Sequence, residues 1–573
     1  MLKKIIYLSI ILLFSGCGTS TDYSFKKVNE ATNSNTTKST DNSSKNSTDN
    51  NSTNSQNNRD NNDSKDLPYS YKGLQFYYED LPLSSYRLEQ LSDSEFNSLN
   101  TTAKLQVADK LLNSLFFGYS YKELKEKIES GSFISSIKDL LSENKIDKEA
   151  LENLILNDDY FKQYKDKTWA QPQVINILTR FYAMDKLDKY YLENWVAYIL
   201  TQTIMFSPAY ELSSTHTPDI SRVYNRLVNM LDINSGMRYI TYVHMMSQDN
   251  WRRFRSPEDN GREMLEIYTL DTKDSHVPLA AKALQNWRLN TDSDTLEVGL
   301  NKNYTPIKLF NTTIYTGEDF YRELVKSDAF TYGVTKRLVD FFFPQKSESK
   351  RDEIAKTITS SNPQKWQDIL LQILFSKEYL LNNQRALSAE ERFYSFAKKL
   401  KFKVKRDAFY YFKSKLSTMH QASMKYKLGK LDRVPLDSLS FATYHKYVRE
   451  YILLNMAYKD EADRDSWKYD GWSEDILSTN NFTLDLSSDE ATLKSFIKYL
   501  FLITISREPN KSEYDLFIGY MLDNGKFKSE FNIVTRRDTN EEEERLKRRE
   551  YIARVVFDYI SRLEETYMQK EVK

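Results

Sequence analysis

The chain has 573 residues, 40% hydrophobic and 28% charged, a balance that excludes a wholly disordered or collagen-like polypeptide. Lys+Arg and Asp+Glu stand at 81 each, so no global field draws the chain to nucleic acid, and the single cysteine excludes internal disulfides and cysteine-based metal centres. Only 14 glycines and 12 prolines are present, too few for the turns of a many-stranded fold, which favours helices.

The chain opens with MLKKIIYLSIILLFSGC, two lysines followed by an apolar run too short to span a bilayer comfortably. Leu13-Phe14-Ser15-Gly16-Cys17 resembles the bacterial lipobox, which implies a signal peptide over residues 1–17 and lipidation, such as by palmitate, at Cys17. The lipid would be the chain's membrane partner. Gly18 rather than aspartate after the cysteine implies the outer membrane under the enteric sorting pattern. Residues 18–67 are dominated by Asn, Ser, Thr, Asp and Lys, with almost nothing apolar to offset ordering entropy, so a disordered tether is expected there. Over the roughly 45 residues from about Ser20 to Asp66 its root-mean-square reach is roughly 35–40 Å.

Beyond Leu67, apolar residues recur at three- and four-residue spacing, and no sustained strand alternation is bounded by Asn-Gly or Asp-Gly turns. The pattern predicts an all-α protein, with helices over Leu105–Phe116, Leu192–Phe206, Pro257–Leu270, Phe330–Phe343, Trp366–Phe375, Leu493–Ile505 and Glu541–Met568. Ser256 is placed to cap the third of these, with Pro257 at its first position. Two segments share a helix–break–helix plan, Phe330 to Ile358 around Pro344 and Phe496 to Met521 around Pro509. Asn540, Glu541 to Glu544 and then Arg545 to Arg549 read as a solvated helix start aligned with its dipole. The folded part divides into residues 68–425 and a C-terminal helical region, 426–573, packed on it.

Residues Arg255–Trp287, RSPEDNGREMLEIYTLDTKDSHVPLAAKALQNW, carry Glu258, Arg262, Glu263, Glu266, Thr269, Leu270, Val277, Ala283, Leu284 and Trp287 at the places of a recognisable signature. It resembles that of the secreted bacterial family known as domain of unknown function eighteen hundred. Val107–Leu124, Leu192–Ser207, Thr335–Tyr379 and Glu390–Phe402 resemble further segments of that family in the same order. The resemblance covers residues from about 100 to about 425 and implies a helical fold and secretion. Where many members carry H-D-x-G-x-K-x-x-L-G, this chain has Asn303 to Asn311, keeping Lys308 but losing the histidine, the aspartate and both glycines. No activity carries over from the family.

On the Pro257–Leu270 helix, Asp259, Arg262, Glu263 and Glu266 share one face, within an arc of about 100°. As a solvated face it would be held by an Arg262–Glu266 pair; as a cleft wall it would bind a hard cation or polarise a substrate, with Glu263 and Glu266 as candidate acid and base and Arg262 orienting them. Asp259, Arg262 and Trp287 are the candidate binding residues, Trp287 by stacking on a sugar ring or, alternatively, by filling the core. Gly261, on the opposite side, leaves room for a close helix neighbour.

The five histidines, His216, His244, His276, His420 and His445, show no metal-ligand spacing, and no haem-attachment, nucleophile-elbow or phosphate-loop motif is present. No metal and no cofactor are expected. Asp463, Asp465 and Asp470-Gly471 fail the calcium-loop pattern and read as an exposed acidic turn. The 40 Tyr, 31 Phe and 7 Trp are expected mainly in the core, with some left for a partner surface. The leading expectation is a lipid-anchored binding or scaffolding component of the cell envelope, partnered by an envelope protein or polysaccharide and without catalysis. The runner-up is an envelope hydrolase acting on polysaccharide or peptidoglycan, although two carboxylates one turn apart lie too close for the inverting spacing.

Overall fold

The structure, a computed structural model, describes residues 85–157, 170–205, 219–290, 295–299, 301–399, 408–419, 421–425, 438–447, 490–528, 552–553 and 555–572. Residues 1–17 with Cys17, the tether, His216, His420, the acidic turn around Asp470 and the charged run from Asn540 to Arg549 lie outside them.

Helices dominate, and the protein is all-α. In chain order they are α1 (Asp93–Ser98), α2 (Thr101–Ser114), α3 (Tyr121–Glu129), α4 (Phe133–Leu140), α5 (Lys148–Asn157), α6 (Ala170–Ala183), α7 (Lys189–Thr203), α8 (Asp219–Asp232), α9 (Met237–Met246), α10 (Gln248–Arg253), α11 (Pro257–Thr269) and α12 (Val277–Leu284). After two hairpins come α13 (Gly317–Lys326), α14 (Asp328–Phe342), α15 (Glu348–Thr359), α16 (Trp366–Leu374), α17 (Lys377–Leu380), α18 (Ala389–Lys399), α19 (Ala408–Thr418), α20 (Ser438–Tyr447), α21 (Glu490–Ile505) and α22 (Lys511–Met521). Among the described residues no helix is long and apolar enough to cross a membrane.

Six of the expected helices form close to their predicted bounds, and their caps explain where they start. Asn100 accepts from the Ala103 amide at 2.8 Å to open α2, and Ser256 accepts from the Asp259 amide at 3.1 Å to open α11. Asp188 caps α7 and also accepts from the amides of Lys145 and Ile146 at 2.9 and 2.8 Å, so one carboxylate fixes both a helix start and the chain before α5. The seventh expectation is corrected: within the predicted Glu541–Met568 helix, the described residues after Ile560 turn into a 3₁₀ segment and a short strand, and Met568 is in that strand.

Among the described residues four two-stranded sheets interrupt the helices: β1 (Trp287–Asn290) with β2 (Thr295–Val298), β3 (Ile307–Leu309) with β4 (Thr312–Ile314), β5 (Arg385–Ala386) with β8 (Met568–Gln569), and β6 (Leu522–Asp523) with β7 (Lys526–Phe527), all antiparallel. The β6–β7 hairpin turns through Asn524 and Gly525 at φ 51° and 76°, an Asn-Gly turn joining strands of two residues each, too short for any sustained alternation. Both residues of such a two-residue turn need positive φ, which Asn and Gly tolerate best. The β3–β4 turn adopts the same conformation through Phe310 and Asn311, where only the asparagine signals it.

α7 lies at the centre, with every residue from Tyr190 to Thr203 buried. A helix covered on all faces belongs to the middle of a large core. One hydrophobic core runs around it from Leu91 to Tyr567, and it takes in most of the described aromatic residues. Backbones approach closely at two glycines. A Cβ on Gly261 of α11 would stand 2.8 Å from Ala280 Cβ in α12, and one on Gly333 of α14 would stand 2.9 Å from Thr269 Cα. The close helix contact expected at Gly261 is present.

Candidate functional site

On the signature helix α11, Asp259 is exposed, while Arg262, Glu263 and Glu266 are partly buried. The expected Arg262–Glu266 pair is not formed. Arg262 instead reaches back one turn to Glu258 at 3.6 Å and across to Asp274 at 3.8 Å, both at the surface. Glu266 is tied to α14 through its main-chain carbonyl, which accepts from Arg337 at 2.8 Å. Burial, the neighbouring Glu266 and Asp259 raise the Glu263 carboxyl above its usual range, against the opposing pull of Arg253 and Arg337. The carboxylates do not converge: among the described residues no group of three or more His, Cys, Asp or Glu comes together to hold a metal ion.

Trp287 is corrected as a sugar platform. It sits in β1 at 1% exposure, stacked on Trp251 with centroids 5.8 Å apart and edge-on to Tyr321 at 5.4 Å. It is a core residue. Lys308 is exposed on β3 beside Thr313. His244 is buried and held low, to about 3, by burial and by Arg226. Such an imidazole stays neutral at physiological pH.

Polar groups also gather elsewhere, in a pocket of about 140 Å³ that runs from the exposed Gln345 to the buried Arg385 and Glu390. It lies where the ends of α2, α7 and α14, strand β5 and the first turn of α18 meet. Phe116, Ile199, Phe341, Phe342 and Pro344 supply apolar wall, and Gln202, Arg385, Glu390 and Glu391 supply its polar groups. These wall segments overlap Val107–Leu124, Leu192–Ser207, Thr335–Tyr379 and Glu390–Phe402, four of the stretches singled out in the sequence. The signature helix is not among them.

Each wall is held by local bonds. The α2 terminus turns at Phe116 with φ 58°, and Tyr191 donates to the carbonyls of Leu115 and Phe116 at 3.0 and 2.8 Å. Trp195 Nε1 donates to the Ser114 carbonyl at 2.8 Å, so α7 fixes the end of α2 from two sides. α18 starts with a reciprocal cap: the Glu391 amide donates to Ser388 Oγ at 3.2 Å, and the Ser388 amide donates to Glu391 Oε2 at 2.8 Å.

Arg385 is saturated. Nη1 donates to Glu391 Oε2 at 2.9 Å and to the Ala386 carbonyl at 3.1 Å, and Nη2 pairs with Glu391 Oε1. Nε and Nη2 both donate to the Tyr379 hydroxyl, at 3.1 and 2.8 Å, and Nη2 also reaches Ser114 Oγ at 3.3 Å. Burial works against the guanidinium charge, but Glu391 and Tyr379 outweigh it and hold the group above its ordinary range. Glu390 Oε1 accepts from Tyr198 at 2.9 Å and from Ser423 at 3.3 Å. Burial, reinforced by Glu390, pushes the Tyr198 hydroxyl well up, so it remains a donor. Gln202 is 2% exposed, and its side-chain oxygen accepts no hydrogen bond.

On the far side of α2 lies a second, more polar pocket of about 150 Å³, whose wall includes Asp109, Lys110, Asn113, Arg392 and Arg507. Asp109 pairs with Lys399 and lies 3.9 Å from Arg392. Lys110 is buried and donates to the Asn383 carbonyl at 2.9 Å; burial first, and then Arg385, push its amine down to about 7. Neither pocket was visible in the sequence. Gln202 and Glu390 stand in segments of family resemblance, but nothing in their spacing marks them as neighbours.

Comparison with protein-family profiles, with characterised proteins and with solved structures found no match to this chain.

Proposed function

We propose that the protein is a lipid-anchored binding component of a bacterial cell envelope, related to the secreted family its motifs resemble, with the pocket beneath Arg385 as its binding site. One observation carries the binding role: a pocket between α2, α7, α14 and α18 combines the apolar walls of Phe116, Ile199 and Phe342 with the polar groups of Arg385 and Glu391. Apolar pockets with a few placed polar groups are the usual form of small-molecule sites. The anchor rests on residues 1–17 and the tether-like composition of residues 18–67, which together would hold the folded part off the outer membrane, on its periplasmic or surface side, within reach of envelope proteins or polysaccharide.

Expression of the full chain in a bacterium with an alkyne-tagged palmitate tests the anchor. Label and membrane fractionation should both be lost in Cys17→Ala, and a labelled, membrane-bound Cys17→Ala protein would refute it.

A second reading, an envelope hydrolase using Glu263 and Glu266 with Arg262, is favoured by the Glu263 carboxyl, which burial and then Glu266 shift upward, the direction in which a general acid is tuned. Incubation of the purified protein with isolated cell-wall polymer separates the two. New reducing ends that disappear in Glu263→Gln would replace the binding reading with the hydrolase.

A further inference from the structure

Deepening the binding reading on which it rests, we infer that the pocket takes an uncharged molecule with an apolar body about one aromatic ring in size, entering past Gln345. Its size, its fixed apolar wall and the internal pairing of the charged groups around it define this ligand class.

A cavity of about 140 Å³ is close to the roughly 150 Å³ of an engineered apolar cavity that holds benzene. Gln345 is exposed, and Phe341 and Pro344 next to it in the wall are partly exposed, so a ligand can reach the cavity from solvent.

The wall is in place before any ligand arrives. Phe116 packs edge-on to Phe181 at 5.6 Å and to Tyr198 at 5.4 Å, and Phe342 packs edge-on to Phe341 at 5.1 Å and to Tyr379 at 5.9 Å. Rings held on other sides in a close-packed interior do not swing inward to fill the space, so binding spends little on ordering them. A ring-sized ligand extends the same stacked and edge-to-face contacts, and Ile199 and Pro344 complete an apolar lining.

The charged groups decide against a charged ligand of either sign. Arginine has five N–H donors, and those of Arg385 are all engaged by Glu391, Tyr379, Ser114 and the Ala386 carbonyl. Glu391 is neutralised in turn, because both its oxygens pair with Arg385 and Oε2 also accepts from the Ser388 amide. Glu390 is fully buried, with Oε1 accepting from Tyr198 and Ser423. An entering anion thus finds no open guanidinium donor, and an entering cation finds no open carboxylate. Either would give up its hydration to an apolar wall, and ring faces repay a cation only in part. An uncharged molecule avoids that loss and gains from burial of its own apolar surface.

Calorimetric titration of the purified full chain at neutral pH with benzyl alcohol, benzylamine and benzoate tests the inference. Benzyl alcohol is expected to bind, and the two charged probes to bind at least about tenfold more weakly. In Ile199→Trp, which fills the cavity and whose fold is checked by its melting curve, benzyl alcohol affinity should fall by at least about tenfold. Benzylamine or benzoate binding as tightly as benzyl alcohol would overturn the ligand class while leaving the pocket a binding site. Benzyl alcohol binding unchanged in a folded Ile199→Trp would overturn the placement. No binding by any of the three would overturn both the inference and the pocket's role. The comparison of the three probes on the unaltered protein decides the class even if Ile199→Trp does not fold.

Discussion

Arg385 and Glu391 lie fork to fork, with Nη1 and Oε2 at 2.9 Å, and both side chains are more than nine-tenths buried. The pair joins β5 to the cap of α18, and through Tyr379 and Ser114 it reaches α2, so the pocket wall is one hydrogen-bonded unit. Breaking such a pair leaves an uncompensated buried charge, at about 3–5 kcal/mol. Glu391→Gln should therefore lower the denaturant midpoint clearly, whereas the double replacement Arg385→Met with Glu391→Leu should recover most of the loss. Equal stability of Glu391→Gln and the parent protein, measured by urea unfolding, would show that the pair is not structural.

Glu193 supplies a prediction in pH. It lies on α7 at 0% exposure, neither carboxyl oxygen accepts a hydrogen bond, and its nearest cation, Lys189, stands 3.7 Å away. Burial first, then Asp232 and Asp188, raise it from 4.5 to about 8 against the pull of Lys189 and Lys148. The folded state thus keeps a proton that the unfolded chain releases. Its contribution to stability is fully present below about pH 4.5 and is lost as pH rises through about 8. Glu193→Gln removes this slope. Its melting temperature should exceed that of the parent by a margin that grows from pH 5 to pH 8, and a margin independent of pH would contradict the raised pKa.

The helices were legible in the sequence because their signals are local. Apolar spacing gave the position of α7, and Ser256 with Pro257 gave the start of α11. The hairpin at Asn524-Gly525 also carried its signal, but strands of two residues have no alternation to read. The pocket was illegible for a different reason. Ser114 and Arg385 touch across 271 residues of chain, and only the packing of α2, α7 and α18 brings them together. The charged face of α11 shows the converse error. Periodicity correctly placed Asp259, Arg262, Glu263 and Glu266 on one side, but it could not say that Arg262 turns away from Glu266 toward Glu258 and Asp274.

Gly261 tests the packing beneath that face. Its missing side chain lets α12 lie against α11, and a Cβ there would meet Ala280 Cβ at 2.8 Å and the Ala280 carbonyl carbon at 3.2 Å. The second contact is backbone, so relief requires the helices to separate. Gly261→Val should cost about 1–3 kcal/mol through overpacking, despite the better helix propensity of most residues relative to glycine. The compensating change Ala280→Gly should restore part of the loss, and additive destabilisation in the double variant would place the strain elsewhere.

Two residues of the Arg255–Trp287 segment, one in strand β1 and one on α11, carry opposite expectations. Trp287 fills a closed site between Trp251 and Tyr321, and Trp287→Ala should cost about 3–5 kcal/mol, as truncations of buried aromatics do. Glu266 makes no ion pair within 4 Å among the described residues, and what ties it to α14 is a main-chain carbonyl that survives substitution. Glu266→Gln should consequently leave the melting temperature unchanged at neutral pH. It should also lower the Glu263 carboxyl, because Glu266 is one of the charges that raise it. Observation of the Glu263 side-chain carbon by NMR across a pH titration reads that second effect directly. A clear loss of stability in Glu266→Gln would show that its carboxylate is a structural partner after all, whereas an unchanged fold with a shifted Glu263 titration would show that the two carboxyls communicate through charge alone.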